Sequence, residues 1–216
     1  MVSSVVEKNL SDWKFLGHSV HCLRIIPEAH TSKTDEEKGP AILLIHGFGA
    51  STKHWRHNLP VLGKYYEVHA LDLLGFGQSS KPGGLAYGGP LWKDQIVAYV
   101  QENIGRPTIL VGNSLGGYAA LASGAALGNE AAGVVLLNAA GYFSEDKKPT
   151  KGFWPTARKT VAEIFLKNAL LQRIIFENLR QPSTIKRTLN QVYIDTSNVD
   201  DELVEAIRKP SLDAGA

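Results

Sequence analysis

The segment Leu110-Val111-Gly112-Asn113-Ser114-Leu115-Gly116-Gly117 leaves the backbone little choice. An apolar run from Thr108 to Val111 leads straight into Gly-x-Ser-x-Gly, and a small-residue stretch (Tyr118, Ala119, Ala120, Leu121, Ala122) follows at once. A strand can become a helix within so few residues only through a sharp, strained turn. Gly112 and Gly116 then serve because a Cβ at either place would collide with the neighbouring strand or helix. Such a turn lifts the Ser114 hydroxyl above the sheet and aims the free N–H groups of the helix start at whatever Ser114 attacks.

The same alternation runs through the first two thirds of the chain. Trp13 to Leu16, then Gly17-His18, then Ser19 to Ile26 reads as a β-hairpin closed by Pro27, and His30 to Gly39 as a polar loop. Ala41-Ile42-Leu43-Leu44-Ile45 is a continuous apolar run, as expected of a strand buried on both faces of a parallel sheet. A short helix is expected over 53–64, a strand over 67–72 and a glycine-rich loop over 75–89. A helix over 91–104 carries its stripe at 96, 97, 100 and 104. The strand 108–111, the helix 115–127 and the strand 133–137 complete an α/β pattern, a doubly wound and mostly parallel sheet. Asp146 to Lys151 is a charged linker, and beyond it only helical stripes remain: Val161, Ile164, Phe165; Leu171, Ile174, Ile175; Ile185, Leu189, Val192; Leu203, Val204, Ile207. The expected organisation is a core over 1–143 and a partial helical cap over 144–216.

Charge excludes some partners. A net charge of +2 with scattered basic residues does not point to nucleic acid. No apolar run approaches the length of a membrane span, and Met1 to Trp13, with Glu7 and Asp12, has no signal-peptide character. Peripheral membrane contact and oligomeric state stay open. Cys22 is the single cysteine, so no intrachain disulfide forms.

Two further motifs flank the serine. His46-Gly47-Phe48-Gly49 ends a buried strand, where a turn can offer backbone N–H groups to an oxyanion. Phe48 N–H and Leu115 N–H are the candidate donors, each worth about 2.7–4 kcal/mol to a tetrahedral intermediate. Asp72 heads Asp72-Leu73-Leu74-Gly75-Phe76-Gly77-Gln78-Ser79, and its expected role is to order that turn by accepting backbone N–H groups. His46, Gly47, Gly49, Gly112, Asn113, Gly116 and Asp72 thus form the supporting set around Ser114. His54 and His57 have a spacing that could bind metal, but no third ligand is evident, so neither a metal nor a cofactor is expected.

Together these motifs resemble the α/β-hydrolase superfamily, from Trp13 to the end of the chain. Leu91-Trp92-Lys93-Asp94-Gln95, Gly112 to Tyr118 and Gln191-Val192-Tyr193 are similar to pheophytinases. His46 to Ala50 with His54-Trp55-Arg56, and Asp201 to Ile207, are similar to chlorophyll dephytylases. Both groups are phytol-ester hydrolases of plants, algae and cyanobacteria. The resemblance implies a serine carboxylic-ester hydrolase acting on a hydrophobic ester, in a chloroplast or a cyanobacterial cytoplasm. It also implies a histidine base and an orienting acid placed beyond the cap.

Here the sequence departs from the family. All seven histidines (18, 21, 30, 46, 54, 57 and 69) precede Ser114, and none matches the catalytic position. The expectation is therefore a fragment lacking the last strands and helices of the fold, inactive alone, with residues 133–137 left as an open edge. The alternatives are a non-catalytic binding protein or a hydrolase of another bond on the same fold.

Overall fold

The computed structural model describes residues 5–9, 13–141 and 169–215. The chain divides into two compact units, Met1–Ala140 with Leu212–Ala216, and Gly141–Ser211.

The first unit is built on a six-stranded sheet. Strands β1 (Val5–Asn9) and β4 (Cys22–Pro27) are antiparallel to their neighbours. Strands β5 (Ala41–Ile45), β6 (Val68–Leu71), β7 (Thr108–Asn113) and β8 (Ala131–Leu137) run parallel, in the order β1-β4-β6-β5-β7-β8. Every residue of β5 is buried, and its side chains alternate between two cores. Ala41, Leu43 and Ile45 join a cluster with Ile96, Tyr99, Val100, Ala119 and Ala120, whereas Ile42 and Leu44 pack with Ile25, Trp55, Leu59 and Val68. From β5 the chain crosses to β6 on one side and returns to β7 on the other. The sheet order therefore reverses between β5 and β7, which opens a crevice at their carboxyl ends.

Several expected elements have different limits. The hairpin is short, β2 (Lys14–Phe15) and β3 (His18–Ser19), joined by Leu16 and Gly17, both with positive φ. Its second arm leaves the hairpin at Val20-His21, because His21 N–H bonds Ser79 Oγ and Ser19 O accepts from Ser80, and the chain then enters the main sheet as β4. Strand β1, which has no apolar alternation to announce it, is defined by its pairing with β4. The loop 30–39 contains one helical turn, α1 (Asp35–Lys38), closed by a capping box between Thr34 and Glu37. The expected helix over 53–64 is instead a 3₁₀ turn (Thr52–Trp55) and a short α2 (Leu59–Leu62), since Pro60 cannot sit inside a continuous helix. Helix α3 (Gly89–Tyr99) ends in a π turn (Val100–Ile104) stopped by Gly105 at φ +66°. Helix α4 (Leu115–Leu127) has the expected limits, and β8 is the edge of the sheet among the described residues. Val135, Leu136 and Leu137 on that edge are exposed.

The second unit is helical where it is described: α5 (Ala169–Leu179), α6 (Pro182–Val192) and α7 (Asp201–Arg208). Pro182 starts α6, and the Asp200 carboxylate accepts from Leu203 N–H at the start of α7. Ile185, Val199, Leu203 and Val204 are its buried apolar residues. The linker 146–151 and the stripe Val161, Ile164, Phe165 lie outside the described residues. No helix among the described residues is long and apolar enough to cross a membrane.

The amino ends of the strands are tied by a buried ionic cluster. Glu67, 1% exposed, accepts from Arg24, from Arg106 (2.9 Å) and from His69 Nε2 (2.9 Å), and Arg106 also donates to Gly39 O. Tyr99 Oη lies 2.9 Å from His69 Nδ1. With Nε2–H donated to Glu67, Nδ1 accepts the tyrosine proton, and His69 is neutral. Burial alone would raise the Glu67 pKa, but the hydrogen bonds from His69 and Arg106 and the charge of Arg24 hold it well below the carboxylate range. Burial lowers that of His69 against the opposing pull of Glu67.

Replacing Arg106 by Met leaves part of the Glu67 charge unpaired, and urea unfolding is expected to show a loss of about 3 kcal/mol. Both shifts act in the same direction with pH. The unfolded chain protonates its histidine near pH ~6.5 and its glutamate near pH ~4.3, before the folded chain does in either case. The urea midpoint is therefore expected to be flat above about pH 7 and to fall steadily from there to pH ~4.

Candidate active site

The carboxyl ends of β5 and β7 bring the two glycine motifs together, because Ile45 pairs with Gly112 across the sheet. Ser114 sits at the turn from β7 into α4 with φ 52° and ψ −116°, a conformation that a residue with a side chain holds only under constraint. The constraint is visible on every side. Ser114 N–H donates to Leu137 O at the end of β8, while Ser114 O accepts from Gly117, Tyr118 and Ala140. A Cβ on Gly112 would overlap the carbonyl of Gly116, and one on Gly116 would overlap the carbonyls of Ile45 and His46. One on Gly117 would overlap Ala139. The serine is half-buried, with a face left to solvent.

The turn after β5 approaches the same point. A Cβ on Gly47 would lie 3.2 Å from both Ser114 Cβ and Asn113 Oδ1, and Gly49 turns the chain with φ +69°. Among the described residues, neither Phe48 N–H nor Leu115 N–H has an acceptor. Two unpaired donors therefore stand on the two turns that meet at Ser114, the arrangement that acyl transfer requires for a developing oxyanion.

His46 does not face the serine. Leu73 N–H donates to His46 Nε2 at 3.0 Å, so the ring proton is on Nδ1 and goes to Gly47 O at 2.7 Å. Both nitrogens are used in holding the turn after β5. Burial lowers the His46 pKa, with Asp72 (Oδ1 at 4.0 Å) and the Gly47 hydrogen bond opposing, and the ring is neutral.

The Asp72 carboxylate accepts from Thr52 N–H (2.6 Å) and Gln78 N–H (2.8 Å). Gly77 lies against it with φ +53°, where a Cβ would overlap the carboxylate. Gln95 and Trp92 are further supports that the sequence did not single out for this role. Gln95 accepts from Leu74 N–H and donates to Asp72 O, and Trp92 Nε1–H donates to Leu74 O. Gln95 lies one turn from Trp92 on the buried face of α3.

The ring nitrogens of His46 and His69 are bonded to groups other than Ser114. His69 lies in the ionic cluster at the opposite ends of the strands, and His21 pairs with Gln78. His54 stands edge-on to Trp55, half-buried, three residues from the exposed His57. No cluster of three or more metal-ligating side chains occurs among the described residues.

The sequence model described as alpha/beta hydrolase family matches residues 42–207. Pheophytinase, chloroplastic, of Arabidopsis thaliana is 29% identical over 214 residues, covering 82% of this chain and 44% of the relative. A 2-hydroxy-6-oxo-6-(2'-aminophenyl)hexa-2,4-dienoic acid hydrolase of Metapseudomonas resinovorans is 32% identical over 52% of this chain and 41% of its own length. The chain thus spans less than half the length of these curated relatives. Among solved structures, Cfl2 from Burkholderia cenocepacia superposes with a TM-score of 0.72 at 18% identity, over 98% of this chain and 67% of that one. That likeness supports the fold.

The crowding at the turn gives a paired test. Gly116→Ala is expected to cost about 2–3 kcal/mol in urea unfolding, because its Cβ meets backbone that cannot move aside. Gly133→Ala in β8, where nothing lies within 4 Å of the added Cβ, is expected to be neutral within about 0.5 kcal/mol.

Proposed function

Because the chain belongs to the alpha/beta hydrolase family, we propose that Ser114 is the nucleophile of a serine ester hydrolase whose substrate is a hydrophobic, phytol-type ester. The observation that carries this reading is the meeting of Ser114 with two N–H donors that have no acceptor among the described residues, at the reversal point of the sheet. The serine attacks the ester carbonyl and its proton passes to solvent water, while Phe48 N–H and Leu115 N–H stabilise the negative charge on the carbonyl oxygen. The alcohol leaves as it takes up a proton, and water then hydrolyses the acyl-serine to free acid and serine. Asp72, His46, Gln95 and Trp92 keep the flanking turns in place. The similarity to a chloroplast pheophytinase supports the phytol-type ester, in a chloroplast or a cyanobacterial cell. It supports pheophytin and chlorophyll alike, since no residue named at the site distinguishes the two by a central magnesium.

Among the described residues His46 and His69 have both ring nitrogens committed, so we read Ser114 as an unassisted hydroxyl. Hydrolysis of a carbon–carbon bond is the second reading, favoured by the similarity to the hexadienoic acid hydrolase.

Labelling with a fluorophosphonate tests the proposal. Mass spectrometry is expected to find the adduct on Ser114, and Ser114→Ala to abolish it. The rate is expected to climb with pH through about 9 without a plateau, as for an unassisted hydroxyl. An inflection between about pH 6 and 7.5 would reveal a histidine base and overturn the base-free reading. A phytyl ester should protect Ser114 from the label, and better protection by a hydroxy-oxo-dienoate would favour the second reading.

A further inference from the structure

We propose that the rings of Phe48 and Phe76 form the shelf on which the apolar chain of the ester lies, which makes Phe48 a specificity-determining residue. This rests on the reading of Ser114 as nucleophile and goes beyond the backbone role of Phe48. The Phe48 side chain is 79% exposed, the most exposed of the large aromatic side chains among the described residues. An apolar group of a ligand seated against this ring would remove apolar surface of both from water.

The ring has a firm footing. It stands edge-on to Phe76 at 5.3 Å, and Phe76 in turn contacts His46 at 5.8 Å and Trp92 at 5.7 Å. Trp92 is buried and anchored through its indole to Leu74 O. The shelf therefore ends in the core of the sheet rather than in a loose loop.

Its position relative to the chemistry follows from the chain itself. Gly47 lies against Ser114, Phe48 N–H is a candidate oxyanion donor, and the ring belongs to that same residue. A carbonyl oxygen received by this N–H places one substituent of the ester within a side chain's length of the ring. The groups packed around the shelf are Phe76, Trp92 and a His46 that is neutral, so the surface matches an uncharged hydrocarbon chain.

Binding measured in the Ser114→Ala chain separates the shelf from the chemistry, since no turnover occurs. Calorimetric titration with p-nitrophenyl octanoate and p-nitrophenyl acetate is expected to show the octanoate bound about tenfold tighter. Phe48→Ala should remove that preference by weakening the octanoate alone, and Phe48→Leu, which keeps the apolar bulk, should retain most of it. Equal weakening of both esters, an unchanged ratio in Phe48→Ala, or no chain-length preference in the parent chain would each overturn the shelf. Fluorophosphonate labelling at a serine other than Ser114 would instead overturn the nucleophile reading, whatever the binding ratio.

Discussion

Everything at the carboxyl end of the sheet depends on how closely three stretches of backbone pass one another. The β7–α4 turn, the end of β5 and the segment after β8 meet where Gly112, Gly116 and Gly117 have no side chain to keep them apart. This approach holds Ser114 at a positive φ, and it brings the Phe48 turn within reach of the serine. The strain of about 1–3 kcal/mol that such a conformation carries is spread over four backbone hydrogen bonds and the core beneath. A methyl group at Gly116 would therefore disturb the Ser114 turn and the end of β5 together.

Sequence reading recovers the elements whose signals are local. The five apolar residues of β5, the Gly-x-Ser-x-Gly turn and the small residues of α4 each state their structure within a dozen positions. Long-range partners are not stated in that way. Val5–Asn9 is a strand only because β4 accepts it, and the break after Ser19 exists because Ser79 and Ser80 capture the chain from 60 residues away. Pro60 is a visible signal against one helix over 53–64.

The site shows the same division. Gly112, Gly116 and Ser114 are legible because their spacing is dictated by a single turn. His46 and Asp72 stand out as motif residues, and the bond of Asp72 to Gln78 lies within its own turn, yet Leu73 and Thr52 become their partners only when separate loops are folded together. The commitment of both His46 nitrogens follows from who donates to whom, which no spacing encodes. Gln95 is hidden for a related reason: a polar residue on an apolar helix face reads as an interruption until its two backbone partners are known.

The Glu67 cluster sits at the amino ends of the strands, and Ser114 at the carboxyl ends, with the full length of β5 and β7 between them. Two separate reservoirs of sequence freedom follow. Loops around Ser114 can change without touching the charges that secure the sheet. Changes around Glu67 can raise or lower the melting temperature while the shape of the crevice is kept. A lineage built on this chain can therefore diversify in chemistry and adapt to temperature along independent axes.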